Sequence, residues 1–131
     1  NKFSSKAVFA EFSDHGGTMS DIYSDIDFYM NYLVVERGLS KKSIEAYGHD
    51  LRLLMDFLSK KKISSSSKVV ESDILAFIIS LHEAGLGPRS VTRYLVVMRG
   101  FFSFLVREKR MANDPTSQIE FPFRWHKLPH V

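Results

Sequence analysis

Six cations crowd the stretch 89–110: Arg89, Arg93, Arg99, Arg107, Lys109 and Arg110, against the single acid Glu108. At about 100° per residue on a helix, Arg89, Arg93, Gly100 and Arg107 fall on one stripe, opposite Val91, Leu95, Met98 and Phe102. Thr92 and Arg99 flank that stripe. Guanidinium groups in a row, with a glycine among them, suit close approach to a surface of phosphates. The stretch 41–62 has the same character. Lys41, Lys42, Arg52, Lys60, Lys61 and Lys62 outnumber Glu45, Asp50 and Asp56 there, and Lys42, Glu45, His49 and Arg52 share an outward face.

The two stretches begin alike. GLSKKSIEAY at 38–47 and GLGPRSVTRY at 85–94 are one ten-residue phrase, repeated at an offset of 47 residues. Each copy reads as the end of one helix and the start of the next: a glycine stop, then Ser40 or Gly87 as cap. Free backbone N–H groups, Ser43 or Ser90 and a positive dipole end then meet at each start, all suited to phosphate oxygens.

Other chemistry is hard to find. No Gly-rich phosphate loop, paired histidine motif or serine elbow occurs. His15, His49, His82, His126 and His130 are scattered. Tyr47 and Tyr94 close the repeated phrase, but their helical phase puts them on or near a core stripe. Asp25 and Asp27 read as a solvated acidic face. With no cysteines, disulfides and thiolate metal sites are excluded. No catalytic residue, metal site, cofactor or small-molecule ligand is expected from this chain. No run reaches the roughly 18 apolar residues of a membrane span, and no secretory signal is evident, so the expectation is a cytoplasmic protein.

Helices must position these groups. Ile22, Ile26, Tyr29 and Leu33 predict a first helix over about 21–37, capped by Ser20 or Asp21. Ser40 opens a second, about 41–61, with Ile44, Tyr47, Leu51, Leu54, Met55 and Leu58 inward. Ser72 opens a third, about 73–84, burying Ile74, Ile78 and Leu81. Pro88 opens a fourth, reaching about 110. Phe101, Phe102 and Phe104 are too dense for one core face, so Phe104 is expected to cover an adjoining segment or subunit. Strand alternation is absent. The expected fold is all-α: a four-to-five-helix orthogonal bundle of two stacked helical hairpins over 20–115. Residues 1–19 read as a leader, flexible or cloning-derived, and 116–131 as a proline-punctuated linker or docking tail. Formal net charge is only +3 over 131 residues, yet it is segregated. The first and third helices are acidic, and the second and fourth basic. One basic helix is ordinarily a solvated face. Two with matching starts point further.

The ordered series resembles a known family. It comprises Glu36-Arg37-Gly38-Leu39-Ser40, Tyr47, Asp50-Leu51, Asp73-Ile74, Ser90-Val91-Thr92-Arg93-Tyr94-Leu95 and Met98-Arg99-Gly100-Phe101-Phe102-Ser103-Phe104-Leu105. Asn113-Asp114-Pro115 and a closing Lys127-Leu128-Pro129 complete it. Over about 20–131 it resembles the N-terminal core-binding (SAM-like) domain of Xer-type tyrosine recombinases and integrases. Gly-Leu-Gly-Pro at the second turn, Asn-Asp-Pro, and Val96-Val97 depart mildly from the family pattern. The resemblance implies one jaw of a clamp on a double-stranded DNA recombination site, with the second and fourth helices across the duplex and further protomers completing a tetramer. It implies that the whole protein is an enzyme that breaks and rejoins DNA, in chromosome dimer resolution or element integration. The catalytic tyrosine would lie in a second domain outside this chain. The expected DNA contacts are Lys41, Lys42, Ser43, Arg52, Arg89, Ser90, Thr92, Arg93 and Arg99, most to phosphates, with Lys42, Arg89 or Arg93 able to reach base edges. Two alternatives stay open: a helical protein-interaction module using the acidic face and surplus aromatics, and a non-catalytic DNA-binding accessory factor.

Overall fold

A computed structural model describes residues 21–120, and every regular element among them is helical. Four α-helices run Ile22–Val35 (α1), Lys41–Lys60 (α2), Glu71–Glu83 (α3) and Pro88–Arg107 (α4), with a 3-10 turn at Ser66–Lys68 between α2 and α3. The expected leader lies outside the described residues.

Each start has a local cause. The Asp21 carboxylate accepts the Ser24 N–H at 2.9 Å and caps α1. Ser40 Oγ accepts the Ser43 N–H at 3.1 Å and caps α2. Gly87 precedes α4 without a side-chain cap, and Pro88 occupies the first turn, where its missing N–H costs nothing. α3 begins two residues before the position expected from Ser72. There the Asp73 carboxylate reaches back to the Val70 N–H at 3.0 Å, so the cap is supplied from inside the helix.

The ends carry the repeat further than the sequence phrase. Gly38 and Gly85 both take positive φ, +60° and +95°, the left-handed conformation that glycine adopts without a Cβ clash. Lys62 and Lys109, at φ 63° and 65°, close α2 and α4 in the same way. Behind them the Ile63 N–H donates to Leu58 O and the Arg110 N–H to Leu105 O. Each of these pairs keeps the 47-residue offset, so α2 and α4 match in length and in both terminations.

α2 and α4 pack against each other and against both remaining helices, while α1 and α3 flank that central pair. The core runs through all four: Ile22, Ile26 and Leu33 from α1, Leu51, Leu54 and Leu58 from α2, Ile74 and Ile78 from α3, and Val91, Leu95, Met98, Phe102 and Leu105 from α4. Tyr47, expected in that core, is half-buried at its edge. Phe104 covers α1, its ring centroid 5.1 Å from those of Phe28 and Tyr29 and 4.6 Å from that of Tyr32. Burying rings at these separations adds favourable edge and offset contacts to the hydrophobic gain.

One expectation fails here. Asp25 and Asp27 are not a solvated face: they are 0% and 4% exposed. Asp25 Oδ1 lies 2.9 Å from Arg110 Nη1, beyond the end of α4. Desolvation pushes the Asp27 carboxyl up to about 6. Residues 116–119 pack on the bundle, as a docking tail would, rather than leaving it as an open linker. Thr116 and Ile119 are buried, and the Asp114 carboxylate accepts the Thr116 N–H at 2.8 Å and hydroxyl at 2.6 Å. The folded unit therefore includes this C-terminal turn.

Candidate nucleic-acid interface

α2 and α4, packed against each other, carry the expected contact residues. Lys41 and Lys42 are exposed in the first turn of α2, with Arg52 exposed three turns on. Arg89 is exposed in the first turn of α4. None of these four has an ion pair among the described residues. Ser43, Ser90 and Thr92 are half-buried beside them. The Ser43 Oγ accepts from Ser40 Oγ at 3.1 Å, which orders the α2 start. At the α4 start the N-cap supplies no side-chain acceptor, so the positive end of that helix stays available to an anion.

Arg93 joins the two helices. Its Nε donates to Asp50 Oδ2 at 3.2 Å and its Nη2 to Oδ1 at 3.0 Å. Asp50 is 3% exposed, whereas the arginine side chain keeps 56%. The pair is thus anchored inside and open outside. The fork geometry fixes the guanidinium plane, and Tyr94 supports it from below at 4.7 Å. His49 Nδ1 adds a third contact to Asp50 Oδ1 at 3.2 Å. Burial first, then the Asp50 charge, raises the Tyr94 phenol, with Arg93 opposing. Burial pushes Tyr29 up to about 12, helped by Tyr47 and opposed by Arg37. Neither phenol is activated as a nucleophile.

Arg99 goes elsewhere. Its Nη2 donates to Ile119 O at 2.7 Å and Thr116 O at 3.3 Å. It occupies the same repeat position as Arg52, offset by 47 residues, but the C-terminal turn has folded over it. Gly100 is also spoken for. A Cβ there would lie 2.7 Å from the Tyr29 hydroxyl, so the glycine admits α1 rather than a ligand. Among the described residues no group of three or more metal-ligating side chains assembles.

The model of the phage integrase N-terminal SAM-like domain matches residues 26–109. The chain belongs to that family. The SAM-like domain is 36% identical to tyrosine recombinase XerD of Listeria monocytogenes over 114 residues, covering 86% of this chain and 37% of that protein. It is 37% identical over 106 residues to tyrosine recombinase XerD of Staphylococcus saprophyticus, covering 81% of this chain and 36% of that protein. With tyrosine recombinase XerC of Anoxybacillus flavithermus it shares 29% over 112 residues, 86% of this chain and 37% of the other. The chain spans a little over a third of the length of these relatives. No solved structure matches it.

Around this SAM-like domain the sequence missed two kinds of residue. Asp50, which orients Arg93, stood in plain view as the only acid of Asp50-Leu51, but a carboxylate does not announce which arginine it will meet. Arg37 and Arg107 also escaped the set of expected contacts. Arg37 lies two residues past the end of α1, after the cap residue Glu36, and Arg107 lies on the arginine stripe. No helix of the described residues is long and apolar enough to cross a membrane.

Proposed function

We propose that this SAM-like domain is the DNA-binding arm of a site-specific tyrosine recombinase. It lays α2 and α4 across a double-stranded recombination site, and the catalytic chemistry belongs to a second domain of the same protein. Further protomers assemble on the site as a tetramer, in the cytoplasm. The observation that carries the reading is the packing of two matched basic helices against each other, cross-linked by Arg93 and Asp50. Lys41, Lys42, Arg52 and Arg89 project from that pair, with Ser43, Ser90 and Thr92 at its rim. Clustered cations beside an uncapped helix start favour phosphate oxygens over any neutral ligand. Arg93, held in plane and half exposed, is the best placed to read a guanine edge. Arg99 serves the fold of the domain and leaves the contact set.

The test is fluorescence anisotropy of the domain on a Xer-type core duplex and on a scrambled one, across a salt series. Binding should weaken steeply with salt, and Arg89→Ala should flatten the log–log slope by about 0.9, the share of one phosphate contact. Arg93→Ala should also narrow the gap between core and scrambled duplex. Wild-type domain that binds neither duplex at low salt would sink the reading. Self-association without DNA would then favour the interaction-module alternative, whose acidic face keeps Glu36, Glu71 and Glu83 exposed while Asp25 and Asp27 are buried.

A further inference from the structure

Between the end of α1 and the C-terminal half of α4 lies a second cationic site. A concavity of about 270 Å³ is lined by Tyr29, Tyr32, Arg37, Gly100, Ser103, Phe104 and Arg107. Every polar side chain in that lining is a donor: two guanidiniums and three hydroxyls, with no carboxylate. The Arg107 guanidinium sits 5.0 Å from the Tyr32 ring centroid and 5.2 Å from that of Phe104. Those rings, 4.6 Å apart, hold it at the mouth. Its Nε contacts Glu108 at 3.3 Å on the outer edge. Arg37 makes no ion pair among the described residues. Both cations share this lining with Tyr32, and Arg107 first, then Arg37, lowers its phenol against desolvation. Tyr29, pushed up to about 12, stays a protonated donor.

Two guanidiniums lining one concavity repel each other. An oxyanion with several acceptors relieves that repulsion and accepts from all the donors at once. The site lies on the same stripe of α4 as Arg89 and Arg93, because Val96, Gly100, Ser103 and Arg107 continue their helical phase. From Arg89 to Arg107 the stripe runs about 27 Å at 1.5 Å per residue, most of one turn of duplex.

We propose that Arg37 and Arg107, with the hydroxyls of Tyr32 and Ser103, form a seat for a DNA backbone phosphate, extending the interface onto the loop after α1. The inference rests on the DNA-binding reading above, and it adds contacts from Tyr32 in the last turn of α1 and from Arg37 in the loop after it.

The same anisotropy salt series decides it, with Arg37→Gln, Arg107→Ala and Arg107→Lys added. Arg37→Gln and Arg107→Ala should each flatten the slope by about 0.9, equally on core and scrambled duplex, because a phosphate contact carries no sequence. Arg107→Lys should restore most of the slope. Arg107→Ala also strips a cation from two rings, so thermal melts must accompany it. Arg37→Gln alters an exposed side chain outside any helix and keeps the test clean. If wild type binds and Arg89→Ala weakens it, but Arg37→Gln and Arg107→Ala leave the slope unchanged, the phosphate seat is overturned and the DNA-binding reading stands. If wild type binds no duplex, both fall together.

Discussion

Arg110 Nη1 lies 2.9 Å from Asp25 Oδ1, joining the chain just past α4 to the first turn of α1. The carboxylate is fully buried and the arginine about one-third exposed. The Arg110 guanidinium also lies 4.1 Å from the Phe28 ring centroid. Arg110→Met keeps the aliphatic stem over that ring but strands a buried carboxylate. It should cost about 3 kcal/mol in urea unfolding at pH 7. A double-mutant cycle with Asp25→Asn should return a coupling of about 1–3 kcal/mol. Coupling near zero would mean that the pair is not made in solution.

Asp27 predicts a pH signature. Unfolded, it ionises near 3.8; folded, near about 6. Between those values the unfolded chain sheds a proton that the folded one keeps. Stability therefore falls as pH rises through that window and stays lowered above it. Asp27→Asn should match wild type at pH 3.5 and exceed it by up to about 3 kcal/mol at pH 7. A stability difference independent of pH would refute the assignment.

Gly100 owes its place to the Tyr29 hydroxyl. Tyr29 is 4% exposed, so a Cβ 2.7 Å from its hydroxyl must displace that ring or part α1 from α4. Gly100→Ala should lower the melting temperature despite a helix-propensity gain of about 1 kcal/mol, for a net loss of about 1–2 kcal/mol. Tyr29→Phe removes the clashing oxygen, and adding it to Gly100→Ala should recover part of the loss. A stabilised Gly100→Ala protein would contradict the packing described.

Arg99 separates fold from binding. Its two carbonyl contacts are charge-assisted, and Arg99→Ala should cost about 1–3 kcal/mol. Amide exchange should quicken at Thr116 and Ile119, whose N–H groups bond to Asp114 Oδ1 and Thr116 O. Duplex affinity of the folded variant should hold. A salt slope flattened like that of Arg89→Ala would return Arg99 to the DNA face.

Helices α2 and α4 were legible because glycine stops, Ser40 and Pro88 are local signals. Their ends ran past the observed ones because Lys62 and Lys109 take the left-handed turn usually given to glycine. The α3 start was missed because Asp73 caps backwards from inside the helix. The site divides the same way. Lys41, Lys42 and Arg89 were readable as exposed because nothing folds over helix starts of that kind. Arg99 and Arg93 look identical to Arg89 in the sequence. One is taken by carbonyls 17 and 20 residues away, the other by a carboxylate 43 residues away. Asp25 looked solvated because its partner is 85 residues distant. Periodicity reports which face of a helix is apolar, not what long-range closure lays upon the polar one.

The Arg99 clamp also sets the slack of whatever follows. Were the dozen or so residues from Arg107 to Ile119 loose, their end would wander about 20 Å from the helix, by the random-coil relation for flexible linkers. Folded against α4, they deliver the chain at Glu120 from a fixed post. For a domain joined beyond it, that would shorten the tether and, on the proposed function, raise its effective concentration at the bound DNA. On that proposal, an arginine spent on the fold rather than on the duplex would govern how often a tethered neighbour reaches it.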